Sequence, residues 1–559
     1  MPFKQTCHGL CAGATLAAIL IAAGAGTGAA QQQGRDSRAP MSAIDWLSQP
    51  SIEWTPGQPQ VLKPRGTAPD TALDEPPVTE GISVPTVDVR PLGTEERAAG
   101  LVPPDVSGLP RDLWAGSQPE DLVRLISGVP VADNPAMQRL LYTLLLTEAY
   151  APQRSGAEDI LLTARLTRLM DLGAADPVRA LADLSEPEQH LVVPGGGSDA
   201  LRGVRDRFAL RFDAALLTGE ADAVCQQLIA MPELTQDYRA QIFCNARLGD
   251  WHTATLLFDM AETLDLIGAA DLNLLARFLH PDLSEDADLL PPPMQPDALT
   301  FILYSAIGER LPTGRLPRVF ANADLQDLAG WKAQIEAAER LTRSGAVSPN
   351  RLLGLYTDRR PSASGGVWDR VDAIQRFDGA LADGNGALVA ELLPEVWQAM
   401  TDEGLGPTFA TLFAHRLAAI RLPDVGEARW LAWKIRLLSP DYAAAAATPP
   451  DDSPRTQFLA ALARGVPQSV PAPDARAQAI ADGFTADGAV PSLLVPASMS
   501  GRVSDGRLGE TILKAMTRFA SGLQGNDAAL TEALAILRSV GQEDAARRAA
   551  LQALLMERG

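Results

Sequence analysis

From Leu122 onward apolar residues recur three and four positions apart, beginning with Leu122, Val123, Leu125 and Ile126. That spacing lays them along one face of a 3.6-residue helix. The same period predicts helices over residues 136–150, 157–172, 201–217, 272–279, 298–307, 331–343, 371–382, 387–400, 409–420 and 427–438, most stopped by Gly or Pro. Three more, over 509–521, 528–540 and 544–556, bring the pattern to the C-terminus. Alternation with period two is almost absent. The first helix has an explicit start: Ser117 as N-cap, Pro119 in the first turn and Glu120 three residues after the Ser. The chain is therefore expected to be all-α, built of helical hairpins that stack and cover each other's apolar faces.

Two stretches break the period. Residues 31–116 are dense in Pro and carry no helical spacing. They bury too little apolar surface to offset the entropy of ordering, so a disordered, extended tether is expected. Within it, Ile44-Asp45-Trp46-Leu47 is a short apolar island able to dock on this chain's own helices or on a partner. Residues 441–504, with Pro449, Pro450, Pro467, Pro471, Pro473, Pro491 and Pro496, are expected to connect a helical-repeat domain (117–440) to a C-terminal helical cap (505–559).

The first thirty residues have another character. Lys4 precedes an uncharged apolar run over residues 14–25, and Gly28, Ala29 and Ala30 follow before three Gln. Such a run rises about 18 Å as a helix, short of a hydrocarbon core of about 30 Å. Residues 1–30 thus read as a secretory signal peptide cleaved after Ala30, with a retained anchor as the alternative. The mature chain is expected in the periplasm or secreted, with no later membrane span. Cleavage removes Cys7 and Cys11 and leaves Cys225 and Cys244, nineteen residues apart on what read as successive antiparallel helices. In an oxidising compartment they could form a structural disulfide; two buried free thiols are the other reading.

Composition narrows the partners. Apolar residues are 46% of the chain, enough for a core, while aromatics are only 5%. A formal charge of −21 repels phosphate backbones and disfavours nucleic acid as a partner. The Ala content bears a superficial likeness to proteins labelled antifreeze. Regularly spaced Thr is missing, however, and residues 443–447 with Thr448 form one isolated run.

One local motif rises above this background. In residues 238–261 a helix closes at Gly249-Asp250, Trp251 follows, and Ala254, Phe258 and Ala261 fall five, nine and twelve residues after the Gly. This spacing resembles the turn and second helix of a tetratricopeptide repeat over about one repeat. The resemblance implies stacked helix pairs in an α-solenoid, with the aromatic plugging the turn and the small residues allowing close approach. Ile242 departs from it, standing where a small residue is usual. Any αα-hairpin needs a Gly turn and a small contact residue, so an irregular helical array is the companion reading.

Chemistry is harder to find. His190, His252, His280 and His415 stand at no metal-ligand spacing, and neither a GxSxG elbow, an SxxK pair, a Walker loop nor a GxGxxG occurs. Gly195-Gly196-Gly197 reads as a turn, and Asp282, Glu285, Asp286 and Asp288 lack the Gly and terminal Glu of a calcium loop. No cofactor or metal is expected. A basic, Gly-rich segment runs from Asp358 to Arg370, and its Arg359, Arg360, Trp368 and Arg370 are candidates for a partner contact. The expected function is a non-enzymatic scaffold that binds a protein in the bacterial envelope. A peptidoglycan-directed enzyme or glycan binder is the alternative, although the Glu-Ser pair and aromatic motifs of soluble transglycosylases are missing.

Overall fold

Nine helix starts among the described residues are fixed by side-chain capping. Asn134, Asp237, Asp250, Asp297, Ser348, Asn385, Ser453, Asp474 and Asn526 each accept a first-turn backbone N–H. The computed structural model describes residues 98–152, 157–184, 198–284, 288–326, 329–423, 427–484 and 506–556. All of these lie in the compact unit Arg90–Gly559.

The unit is all-α. Its helices in chain order are α1 (Pro104–Ser107), α2 (Pro119–Gly128), α3 (Pro135–Leu146), α4 (Ala157–Leu172), α5 (Ala175–Leu184), α6 (Ser198–Thr218), α7 (Ala221–Ala230) and α8 (Tyr238–Arg247). Next come α9 (Trp251–Thr263), α10 (Ala269–Leu279), α11 (Ala298–Ala306), α12 (Ala321–Asp324), α13 (Trp331–Arg343), α14 (Pro349–Asp358), α15 (Val367–Ala382) and α16 (Gly386–Asp402). The chain then forms α17 (Gly406–Ala419), α18 (Ala428–Leu437), α19 (Tyr442–Ala445), α20 (Pro454–Ala463), α21 (Ala475–Gly483), α22 (Leu508–Leu523), α23 (Asp527–Ser539) and α24 (Glu543–Leu555). Among the described residues extended pairing is limited to two isolated bridges, Ala99 with Ala149 and Val102 with Thr147.

Neighbours in sequence pack as hairpins: α4 with α5, α5 with α6, α7 with α8, α8 with α9, α13 with α14, α15 with α16, and α22 with α23. A continuous apolar core runs through them from Leu109 to Leu555, with a small second cluster of Ala321, Ala337, Leu341 and Val347. The packing order also returns to its start. α24 packs on α3 and on α20, and α22 packs on α2. Asn134 donates from Nδ2 to the Ala549 carbonyl at 3.2 Å, and Gln552 Oε1 accepts from the Ala136 backbone at 2.8 Å. Nearby, Gly116 N–H donates to the Gly506 carbonyl at 2.9 Å and Gly509 N–H to the Leu113 carbonyl at 3.0 Å. Gly509 lies so close to the Trp114 ring that a Cβ there would overlap it, which explains the glycine.

The structure corrects four expectations. Residues 98–116, read as the end of the tether, are folded, with Leu109, Leu113 and Trp114 in the core; residues 31–97 lie outside the described set. Residues 441–484, read as a connection, form α19 to α21 and bury Phe458, Leu462, Ile480 and Phe484. The C-terminal helices are joined to the first ones and are no separate cap. Ser117 is not an N-cap: Gln118 occupies that place without a side-chain bond, and the buried Ser117 hydroxyl has no partner among the described residues.

The helix expected over 136–150 ends at Leu146 for a physical reason. Residues 147–149 peel off to pair with residues 99–102. Arg165, wholly buried, then donates to the carbonyls of Leu145 (2.7 Å), Thr147 (2.9 Å) and Ala99 (2.9 Å). No carboxylate faces it among the described residues, and burial pushes its guanidinium down to about 10. The carbonyls at the α3 C-terminus carry the negative end of the helix dipole, which favours a cation there.

Candidate interaction surface

The repeat-like turn is set by three residues in a row. α8 closes at Gly249, whose φ of +92° is a left-handed geometry that side chains resist. Asp250 then caps α9, accepting the Thr253 N–H at 3.0 Å and its hydroxyl at 2.7 Å. Trp251 is the first residue of α9. Ala254, Phe258 and Ala261 are buried along the packed side of that helix. Trp251 is not: it is 50% exposed, so it does not plug the turn. Its ring leans on Phe278 of α10 at 6.1 Å between centroids, and Phe278 rests in turn on Phe243 of α8 at 5.8 Å.

Two features brace this group of helices. A disulfide joins the fully buried Cys225 of α7 to Cys244 of α8, with Cα atoms 4.9 Å apart. At one end of the group, Arg239 lies against Asp237 (2.8 Å), Asp297 (2.8 Å) and Asp271 (3.4 Å). This gathers the N-termini of α8, α10 and α11. Asp213 of α6 sits beside the same cluster. Burial, reinforced by Asp297 and Asp237, pushes its carboxyl up to about 7.

Since those three N-termini share an end, the C-termini of α8 and α10 share the other one with Trp251. There Arg277 pairs with Glu309 at 3.2 Å, and Glu309 accepts the Leu290 N–H at 2.8 Å. Leu289, next to Leu290 in the chain, is 80% exposed, and Leu248, three residues before Trp251, is exposed as well. Eight of the fourteen large apolar side chains exposed among the described residues fall between Ile229 and Met294. Their concentration marks this region as the unusual part of the surface.

No family model matches the chain, and no curated protein or solved structure matches it either. Function must therefore be argued from the side chains themselves.

The second sequence candidate divides. Arg359 and Arg360 are exposed, and Arg359 pairs with the neighbouring Asp358 at 2.8 Å. Trp368 packs inward on Trp331 with centroids 4.9 Å apart. Arg370 is internal as well. It grips the buried Glu339 through two bonds of 2.9 and 2.7 Å and reaches Glu403 at 3.1 Å, while the Tyr356 hydroxyl donates to Glu339 at 2.7 Å. Trp368 and Arg370 are thus committed to the fold and are corrected as contact residues; only Arg359 and Arg360 remain presented.

His252, His280 and His415 are exposed and separate, and no group of three or more metal-ligating side chains comes together among the described residues. Gly195-Gly196-Gly197, Glu285 and Asp286 lie outside the described set. Among the described residues no helix is long and apolar enough to cross a membrane. Sequence reasoning found the turn but missed Phe278, which only the folding-back of α10 brings beside Trp251.

Proposed function

We propose that this chain is a non-enzymatic helical scaffold of the bacterial envelope that binds a protein partner at the Trp251 edge. The carrying observation is a half-exposed Trp251 at the start of α9, three residues after the exposed Leu248 that ends α8, a helix tied to α7 by a disulfide. Large aromatics are favoured anchors of protein interfaces because they bury much area with few rotatable bonds. A braced presentation lowers the ordering cost of binding. The Cys225–Cys244 disulfide suits an oxidising compartment, in keeping with removal of residues 1–30 on export. In this reading α8 and α9 act as a tetratricopeptide-like hairpin offering its turn edge.

The test is a photo-crosslinking amino acid placed at residue 251 and, as a control, at Arg376 on another face. A distinct protein adduct at 251, lost when Leu248→Asp is added, is expected from envelope material. Identical adducts at both positions, or none at 251, would refute the reading.

A further inference from the structure

Where the packing circuit closes, α3, α17, α24 and the turn after α18 surround a cleft of about 190 Å³. That is smaller than the roughly 300–1,000 Å³ usual for drug-sized ligands, and it suits a molecule of a few heavy atoms. Its floor is apolar, with Leu140, Pro407 and Leu438, and its polar wall carries Arg139, Arg548 and Asp544.

The arginines are in different situations. Arg548 donates from Nε to Asp544 Oδ2 at 2.7 Å and lies over the Tyr442 ring at 5.2 Å. Tyr442 donates its hydroxyl to the other oxygen of Asp544 at 2.7 Å, so that carboxylate is occupied on both sides. Arg139 lines the same cleft, is exposed to solvent, and has no hydrogen-bond or ion-pair partner for its side chain among the described residues. Its guanidinium is held below its ordinary value by burial and then by the positive charge of Arg548, only partly offset by Asp544. Two guanidiniums facing one carboxylate leave a single surplus positive charge, in a protein whose net charge is −21.

We propose that this cleft binds a small organic monocarboxylate, its carboxylate held by Arg139 and Arg548 and its short apolar body against Leu140, Pro407 and Leu438. The surplus of one charge matches a monoanion better than a dianion. The planar fork of a guanidinium also matches a carboxylate in geometry as well as charge. Bound there, the anion joins α3 to α24 and reinforces the closure. The site is separate from the Trp251 edge and does not depend on the scaffold reading.

The test uses the full chain with sodium butyrate and sodium benzoate as probes, followed by calorimetric titration and thermal melting at fixed ionic strength. Butyramide, benzamide, phosphate and sulfate are the comparisons. Saturable binding of a monocarboxylate with a rise in melting temperature is expected, since a ligand that prefers the folded state stabilises it. Arg139→Gln should weaken binding at least tenfold while the ligand-free melting temperature stays put, and Arg139→Lys should recover part of the loss. Absence of saturable binding by both carboxylates would overturn the proposal. So would benzamide binding as well as benzoate, sulfate or phosphate binding more tightly, or an unchanged affinity in Arg139→Gln.

Discussion

The closing seam and the α7–α11 hairpins are made of the same kind of helix, yet they handle apolar surface in opposite ways. At the seam, α2 and α3 meet α22 and α24 across about four hundred residues of sequence, 415 in the Asn134–Ala549 bond. Trp114, Leu144, Ile512, Met516, Ala549 and Ala550 are all wholly buried there. In the hairpins most contacts are between successive helices, and large side chains such as Trp251 and Leu289 are left in solvent. The seam is long-range and sealed; the hairpins are local, cross-linked and open. A region that must close a long loop gains from every buried contact. A region braced locally can keep apolar groups free for another molecule.

Substitutions should separate the two regions by size of effect. Arg165→Ala takes the side-chain donor from the buried Leu145 and Thr147 carbonyls and leaves Ala99 only its backbone bond from Ala149, and a loss of about 3–5 kcal/mol is expected in urea unfolding. A change under about 1 kcal/mol would show that the tie between residues 99 and 147 contributes little. Replacing both Cys225 and Cys244 with Ala should cost about 3 kcal/mol, because the bond closes a short loop in the unfolded chain. Reduction that left unfolding unchanged would remove the brace from the comparison. Gly509→Ala forces a methyl into the Trp114 ring and should cost about 1–3 kcal/mol, with quenched or shifted Trp fluorescence as a second readout.

Asp213→Asn tests the hairpin end by pH. The Asp213 carboxyl is raised from 3.8 to about 7 on folding, so the folded state holds its proton where the unfolded state has lost it. Stability from this group is therefore present below pH 4 and lost as pH rises towards 7. The Asn variant should be no more stable than the parent at pH 3.5, gain steadily through that window, and hold a constant advantage above it. A pH-independent difference would break the assignment. The smallest stability effect is expected for Trp251→Ala, below about 1 kcal/mol, since half of the ring is already in water. A loss as large as that at Arg165 would mean that the ring is a plug after all and the edge is no free surface.

Which parts were legible follows from the reach of the forces that set them. The Gly249 stop, the Asp250 cap and the buried Ala254, Phe258 and Ala261 act within a few residues, so spacing alone reveals them. The helices over 157–172, 331–343 and 428–437 were readable for the same reason. Residues 454–463 were not, because PRTQFLAALA is apolar almost all round and lies among prolines; its buried Phe458 and Leu462 declare themselves only through α24. Trp114 looked like the end of a tether because its neighbour Gly509 lies nearly four hundred residues away. Arg370 reads as available because its acids are far along the chain or on another element, Glu339 on α13 and Glu403 just past the end of α16. Trp251 was misjudged for the opposite reason: the turn motif gives the ring a place but not the neighbours that would cover it.

Arg165 also has a mechanical meaning. The described part of the chain begins at residue 98, and the Ala99 carbonyl is held by the same side chain that holds Leu145 and Thr147. Tension applied to the chain ahead of Ala99 would reach α3 and α4 through that one guanidinium and the paired backbone beside it. The pull would load several short bonds at once, as shear, rather than peel them off one after another.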